Sequence, residues 1–476
     1  MIRLGTTVLS LLSLATANER NYPPTWEGLD ARPIPPWYDR AKFGIIIHWG
    51  VYSVPSFGSE SFWLYWKSDE QKQAKYEEFM NKYPDGFTYQ EFAKDFTAKL
   101  FEPKHWAELF AKAGAKYVVL TSKHHDGYAL WPSSYSWNSM DIGPHRDLVG
   151  ELAEEVRARN LTFGLFYTLS EWFHPLYQAD KTANFTTQAF IEAKIAPERK
   201  ELVLRYEPEV FFSDGSGDAD YTYWKSTEFL AWLYNDSPVK DTVVVNDRWG
   251  TDMACNHGGY FMCIDRYNPA VLLEHKWENV MTIEKQSWGY RREATLSDYL
   301  TIQELITQLV TTVSCGGNVL LNVGPTKDGT IDPIFEERLM QLGQWLEVNG
   351  EAIYATIPWI HQNDSGISGV WYTEKDDAVY AIALHWTEVL ALASPRKLFR
   401  ASTNVTLLGN EDAGNLPWTV TDSSVKITLP AKATVKSEWA WVLKIVSTPT
   451  SSCTHPETHL RMLVTAALLW TVLSYY

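Results

Sequence analysis

Residues 147–167 read "DLVGELAEEVRARNLTFGLFY". The first part has helical periodicity with a charged outer face, and it hands over to an apolar run, Phe163-Gly-Leu-Phe-Tyr167. A helix that delivers the chain into a strand apolar on both faces is half of a βαβ crossover, which requires a parallel sheet. Working outward, the handover repeats. Gly44-Ile-Ile-Ile-His48 stands first, and Tyr117-Val-Val-Leu120 follows "HWAELFAKAGA". Val210-Phe-Phe follows "PERKELVLRYEP", Val243-Val-Val-Asn246 follows "STEFLAWLYND", and Val319-Leu-Leu-Asn322 follows "TIQELITQLVTTVS". So many units in one stretch of chain predict a closed (β/α)8-like barrel rather than an open doubly wound sheet. No GxGxxG opens any of the helices, which counts against a dinucleotide fold.

Beyond about residue 355 the texture changes. "SGVWYTEKDDAVYAIALHW", "NVTLLGNE" and "SVKITLPAK" alternate polar and apolar residues between turn residues. That pattern predicts a C-terminal antiparallel β-sandwich over residues 355–448, after a barrel domain over residues 18–354.

The termini speak to compartment. Arg3, an apolar stretch and Ala15-Thr16-Ala17 have the layout of a secretory leader, assigned to residues 1–17. Sequons at Asn160, Asn184, Asn235, Asn363 and Asn404 are candidate glycan acceptors, Asn235 the weakest because Pro238 follows Ser237. Residues 449–476 hold a polar spacer and a hydrophobic tail. Three readings stay open for it: a cleaved lipid-anchor signal, a membrane tail, or a segment packed on the domain. The expected location is the secretory pathway, lysosomal or extracellular, with lipid anchoring at the cell surface left open.

The net charge of −16 argues against a nucleic-acid partner. The four cysteines are too few to staple 476 residues, but Cys255 and Cys263 flank a Gly-Gly loop and suit a small disulfide better than zinc. No metal and no cofactor is expected.

In a barrel the strand carboxyl ends meet on one face, where chemistry occurs. Here those ends read His48-Trp49-Gly50, Lys123-His124-His125-Asp126, Tyr167, Glu171-Trp172, Ser213-Asp214-Gly215 and Asn246-Asp247-Arg248, followed by Asp265, "HKWE" and "SWGYRR". Hydrogen-bonding groups, flat rings and carboxyls around one mouth are what a sugar pocket needs. The Trp and Tyr counts, 22 and 25, agree with that. Asp-Gly is a common turn pair, so Asp214 gains meaning only from this company.

The stretches "FGIIIHWGVYSVPSFGSE", "AGAKYVVLTSKHHDGY", "GPHRDLVGEL", "EWFHPLY", "LYNDSPVKDTVVVNDRWG" and "GGNVLLNVGPTKDG" resemble the α-L-fucosidases of glycoside hydrolase family 29, of the animal tissue or lysosomal type. The resemblance runs from about Trp37 to Leu443 and implies an exo-acting, retaining hydrolase of terminal α-L-fucose. Its partners would be fucosylated glycans; the oligomeric state, a homo-oligomer included, stays open. It implies that Asp214 is the nucleophile. For the acid/base two residues compete: Glu278, whose aromatic company would raise its pKa, and Asp265, on a loop able to swing over the pocket. Glu60 is a third candidate or a pocket residue. The resemblance further implies sugar contacts for His48, His124, His125, Tyr167 and Arg248, with Trp49 and Trp277 as sugar platforms.

Overall fold

The computed structural model describes residues 21–68 and 71–447. The leader read over residues 1–17 and the tail over residues 449–476 lie outside the described residues. Seven strands share one sheet: β1 (Phe43–Ile47), β2 (Tyr117–Lys123), β3 (Thr162–Thr168), β4 (Val210–Asp214), β5 (Val244–Val245), β6 (Glu278–Thr282) and β7 (Asn318–Val323). Their order is β5-β4-β3-β2-β1-β7-β6, with every neighbouring pair parallel.

The sheet curls, and segment 260–262 fills the gap between β5 and β6. The Tyr260 N–H donates to the Val245 carbonyl at 3.0 Å, the Phe261 N–H donates to Lys276 at 2.8 Å, and the Glu278 N–H returns to Phe261 at 2.8 Å. The barrel expected from the sequence is present, with a bridging segment in place of one full strand.

Successive residues of a strand point to opposite faces. Ile46, Phe166, Phe212, Val280 and Leu320 therefore fill the interior together with Tyr38, Tyr117 and Tyr260. Their neighbours Ile45, Leu165, Phe211 and Leu321 face the surrounding helices. The helix Leu148–Arg157 shows the local logic: Asp147 accepts from the Gly150 N–H at 2.9 Å as its N-cap, and Leu148, Val149, Leu152, Ala153 and Val156 are buried. Each large aliphatic side chain so buried contributes roughly 1.5–3 kcal/mol. Gly44 is required by the interior, because a Cβ there would meet the Tyr117 ring at 2.4 Å.

After the helix Pro333–Asn349, a five-stranded antiparallel sheet (Ile357–Asn363, Val370–Lys375, Ala378–Ala383, Thr403–Leu407, Trp441–Ser447) faces a three-stranded one (Val389–Leu392, Trp418–Val420, Val425–Thr428). Val379 and Ala381 pack inside this sandwich, while Tyr380 and Ile382 join the barrel core, so the larger sheet is buried on both faces.

Asn160, Asn184, Asn363 and Asn404 are exposed. Asn235 is half-buried. Its amide nitrogen donates to the Tyr22 and Ala231 carbonyls, both at 2.8 Å, and its oxygen accepts from the Tyr22 N–H at 2.9 Å. The fold leaves that amide no free N–H.

Candidate active site

A cavity of about 280 Å³ opens at the carboxyl ends of the strands, lined by His48, Glu60, His124, His125, Asp214, Arg248 and Asp265 among others. Its floor is apolar: Ile46, Phe166, Phe212, Met262 and Val280 come from the interior layer just described, with Phe166 stacked on Phe212 at 5.2 Å.

Asp214 is the last residue of β4. One of its oxygens accepts from Arg248 Nη1 at 2.8 Å, and the other lies 3.9 Å from His125 Nε2. Burial would push this carboxyl up, but Arg248, His125 and the Gly215 N–H overcome that and hold it below the usual carboxylate range. Gly215 does more than turn the chain. Its φ is +70°, and a Cβ there would meet His125 Cε1 at 2.3 Å.

Arg248 Nη2 donates to Asp265 at 2.5 Å, so one guanidinium carries both carboxylates on the two arms of its fork. Asp265 is 41% exposed on the loop after segment 260–262. Asp247 anchors that loop by accepting from the Cys255, Met262 and Cys263 N–H groups at 2.8, 3.1 and 3.0 Å. The disulfide Cys255–Cys263 closes the loop. Asp247 with these two cysteines is the one His/Cys/Asp/Glu grouping at metal-ligand spacing among the described residues, and the disulfide removes its thiolates.

Burial lowers the pKa of all three histidines, His124 most strongly, with His125 and His48 adding to the effect there. Asn322 spends its amide N–H groups on Thr282 and the Trp288 carbonyl, so its oxygen accepts from His48 Nδ1 at 2.7 Å. That leaves His48 Nε2 as an acceptor. His125 Nδ1 donates to the Ser170 carbonyl at 3.1 Å, and the ring stacks on Trp172 at 4.9 Å. Glu60 Oε2 accepts from the Trp288 N–H at 2.9 Å and Ser287 Oγ at 3.2 Å, which pins the Trp288 ring beside His48.

Four of the expected residues lie elsewhere. Glu278 heads β6, at the opposite end of the barrel interior from the cavity. It is fully buried and accepts from the Tyr38 hydroxyl at 2.8 Å and from the Tyr117 hydroxyl. Burial does push its carboxyl up to about 7, but Val280, two residues further on, is what reaches the cavity floor. A raised pKa without access cannot serve a leaving group. Tyr167 follows the inward Phe166 and so points outward, donating to Glu198 at 2.8 Å. Trp49 likewise turns away from the mouth, packing 5.0 Å from each of Phe96, Phe101 and Trp106. Trp277 precedes β6 and donates to the Cys315 carbonyl at 2.9 Å, behind the barrel wall.

The sequence reading assigned no role to the floor residues Phe166, Phe212 and Met262, nor to Asn322. The one signal for the last is an Asn after the apolar run Val319-Leu-Leu321 of β7.

The Alpha-L-fucosidase family model matches residues 9–351, and the Alpha-L-fucosidase C-terminal domain model matches residues 362–446. An Alpha-L-fucosidase of Branchiostoma floridae is 56% identical over 447 residues, covering 92% of this chain and 99% of its own. The Tissue alpha-L-fucosidase of Homo sapiens is 54% identical over 434 residues, 90% and 92% of the two chains. Among solved structures, the Thermotoga maritima alpha-fucosidase in complex with fucose superposes with a TM-score of 0.75 at 33% identity, covering 89% of this chain and 100% of that one. An alpha-L-fucosidase from Bacteroides thetaiotaomicron, trapped as a covalent intermediate with 2-fluoro-fucosyl fluoride, gives 0.71 at 25% identity over 86% and 95%.

Proposed function

The chain belongs to the alpha-L-fucosidase family, and from that premise we propose that Asp214 is the nucleophile and Asp265 the acid/base of its retaining hydrolysis of terminal α-L-fucose. The observation that carries the assignment is the shared guanidinium: among the described carboxyls, only Asp214 and Asp265 line the cavity on opposite arms of Arg248. Retaining hydrolysis needs two carboxyl groups about 5–5.5 Å apart, one attacking C1 while the other protonates the leaving oxygen.

Asp214 is short, rigidly placed and kept ionised, as a nucleophile must be. Its Oδ forms a bond to C1 as the C1–O bond to the aglycone breaks, and Asp265 gives its proton to the departing oxygen. Water then attacks C1 from the vacated side and loses its proton to Asp265, and the Asp214–C1 bond breaks to free fucose. Glu60 is the less suitable acid, since the Ser287 hydroxyl and the Trp288 and Gly289 N–H groups already engage its Oε2; it positions Trp288.

Fucose is a 6-deoxy sugar, and its methyl group suits the apolar floor of Phe166, Phe212 and Val280. His48, His124 and His125 supply hydroxyl contacts, and their burial disfavours the protonated form beside the positive charge that develops on the sugar ring. Residues 18–354 then form the catalytic unit and residues 355–448 its buttress. The tissue-type human relative and the leader read in the sequence support a lysosomal or extracellular site of action; no described helix is long and apolar enough to cross a membrane.

Incubation with 2-fluoro-fucosyl fluoride and peptide mapping tests the assignment. The label is expected on Asp214, and a label on any other residue overturns it.

A further inference from the structure

A second cavity, of about 260 Å³, adjoins the first. Three chain segments wall both. Glu60, Ser61 and Leu64 face the first cavity and Trp63 the second; His125 faces the first and Asp126 the second; Trp172 faces the first, while Glu171 and Phe173 face the second. Those three segments form the partition between them, and both cavities sit at the carboxyl ends of β2 and β3.

The second cavity has flat walls and a polar floor. Trp63 lies 4.5 Å from Phe173 and is fixed from behind by stacking on Tyr89 at 4.7 Å. Trp137, the half-exposed Tyr135 and the exposed Gln90 also line it. Below them Asp126 accepts from the Tyr89 hydroxyl at 2.8 Å and the Tyr128 N–H at 3.1 Å. Glu171 is gripped by Lys123 at 2.6 Å and Lys194 at 2.9 Å, and Lys123 also meets Glu198 at 2.8 Å. Among the described groups at the cavity both ammonium groups are paired with carboxyls, and burial lowers the pKa of His174, the remaining basic group, which disfavours a phosphate, sulfate or sialic acid. Rings for C–H faces and carboxyl and amide oxygens for hydroxyls fit an uncharged sugar.

Resting on the fucosidase reading of the first cavity, we infer that the second cavity binds a neutral pyranose of the same glycan whose terminal fucose occupies the first. It is a recognition subsite for the branch beyond the scissile bond. The hydrolytic machinery does not include it, so its loss changes which fucosides are preferred and leaves the chemistry intact.

The test compares wild type with Tyr135→Ala and Gln90→Ala, two exposed positions whose truncation spares the core. Substrates are an aryl α-L-fucoside, which is too small to reach the second cavity, and a panel of neutral fucosylated trisaccharides covering each linkage. For at least one trisaccharide, kcat/KM is expected to fall five-fold or more through KM, with aryl-fucoside kinetics within two-fold of wild type. Unchanged trisaccharide kinetics in both variants overturns the inference, and so does an equal fall on both substrate types, which would mean the first cavity had been disturbed. If wild type fails to hydrolyse the aryl fucoside, the fucosidase reading itself fails, a result distinct from either.

Discussion

Arg248 donates to the Asp214 carboxylate at 2.8 Å, and this ion pair overrides the burial that would otherwise favour the protonated acid. An ionised Asp214 down to low pH means that its protonation does not set the acid limb of the wild-type kcat/KM profile. Replacing Arg248→Gln removes the opposing charge while keeping a hydrogen-bonding side chain. The acid limb is expected to move to higher pH, and kcat/KM to fall about 10²-fold as Asp214 loses the partner that holds it in place. A pH–rate profile of the variant with an unmoved acid limb would show that Arg248 does not tune the nucleophile.

The two sequence candidates for the acid/base separate cleanly by leaving group. In Asp265→Ala, fucosides with poor leaving groups are expected to lose about 10²–10⁴-fold in rate, as general acid catalysis is worth, while a dinitrophenyl fucoside, which needs no proton, loses little in its first step. Added azide is expected to give a fucosyl azide of retained configuration. Glu278→Gln is expected to leave the ratio between good and poor leaving groups unchanged. Equal sensitivity to leaving group in Asp265→Ala and wild type would return the assignment to Glu60.

What the sequence made legible follows from what each pattern encodes. Apolar runs alternating with helices identify a parallel barrel, because burial on both faces leaves no other economical reading. The polar residues at the ends of β1, β2 and β4 were legible for the same reason: a strand that stops at His48 or Asp214 has arrived at the mouth. Orientation within a strand was not legible. Phe166 and Tyr167 are adjacent and apolar, and only the register of the pleat decides that the first faces the cavity and the second faces Glu198. Glu278 deceived differently: the Glu of "HKWE" is the first residue of β6, which puts the carboxyl at the far end of the barrel, and its tyrosine partners come from distant segments.

Tyr167 accordingly belongs to a buried charge cluster. Glu198 accepts from Tyr167 and Ser133, both at 2.8 Å, and pairs with Lys123. Tyr167→Phe removes two hydrogen bonds, one given to Glu198 at 2.8 Å and one accepted from Lys123 at 3.2 Å, and is expected to cost about 1.5–3 kcal/mol. Glu198→Gln, which leaves a buried ammonium short of a partner, is expected to cost about 3–5 kcal/mol. Denaturant titration measures both, and neither is expected to change KM for an aryl fucoside. A KM effect as large as that of changing His48 would place Tyr167 back among the sugar contacts.

Glu278 makes stability depend on pH. Its folded pKa of about 7 lies above the unfolded value of about 4.3, so the folded state binds the extra proton through that window. Its contribution to stability is complete below about pH 4.3 and is lost as pH rises through 7. Between pH 4.5 and 6, below most of the titration of Lys276, lowered by burial to about 7, wild type is expected to lose roughly 1–2 kcal/mol more than Glu278→Gln. Parallel stability curves for the two proteins would mean that Glu278 is ionised throughout.

Gly215 and Gly217 stand two residues apart in the loop after β4, yet they face different constraints. At Gly215 φ is +70°, and a Cβ would lie 2.3 Å from His125 Cε1 and 2.6 Å from Ser170 Oγ; at Gly217 no atom lies within 4 Å of a Cβ. A left-handed backbone costs a side-chain-bearing residue roughly 1–2 kcal/mol, and relief of the clash must move His125 or the Asp214 carboxylate beside it. Gly215→Ala is therefore expected to lower kcat/KM by about 10²-fold, the cost of displacing a reacting group by about 1 Å, with a stability loss of only about 1–3 kcal/mol. Gly217→Ala is expected to match wild type in both. Aryl-fucoside kinetics and thermal unfolding of the pair decide the matter: if Gly215→Ala keeps full activity, the close approach of the Gly215 backbone to His125 is not what holds the nucleophile in place.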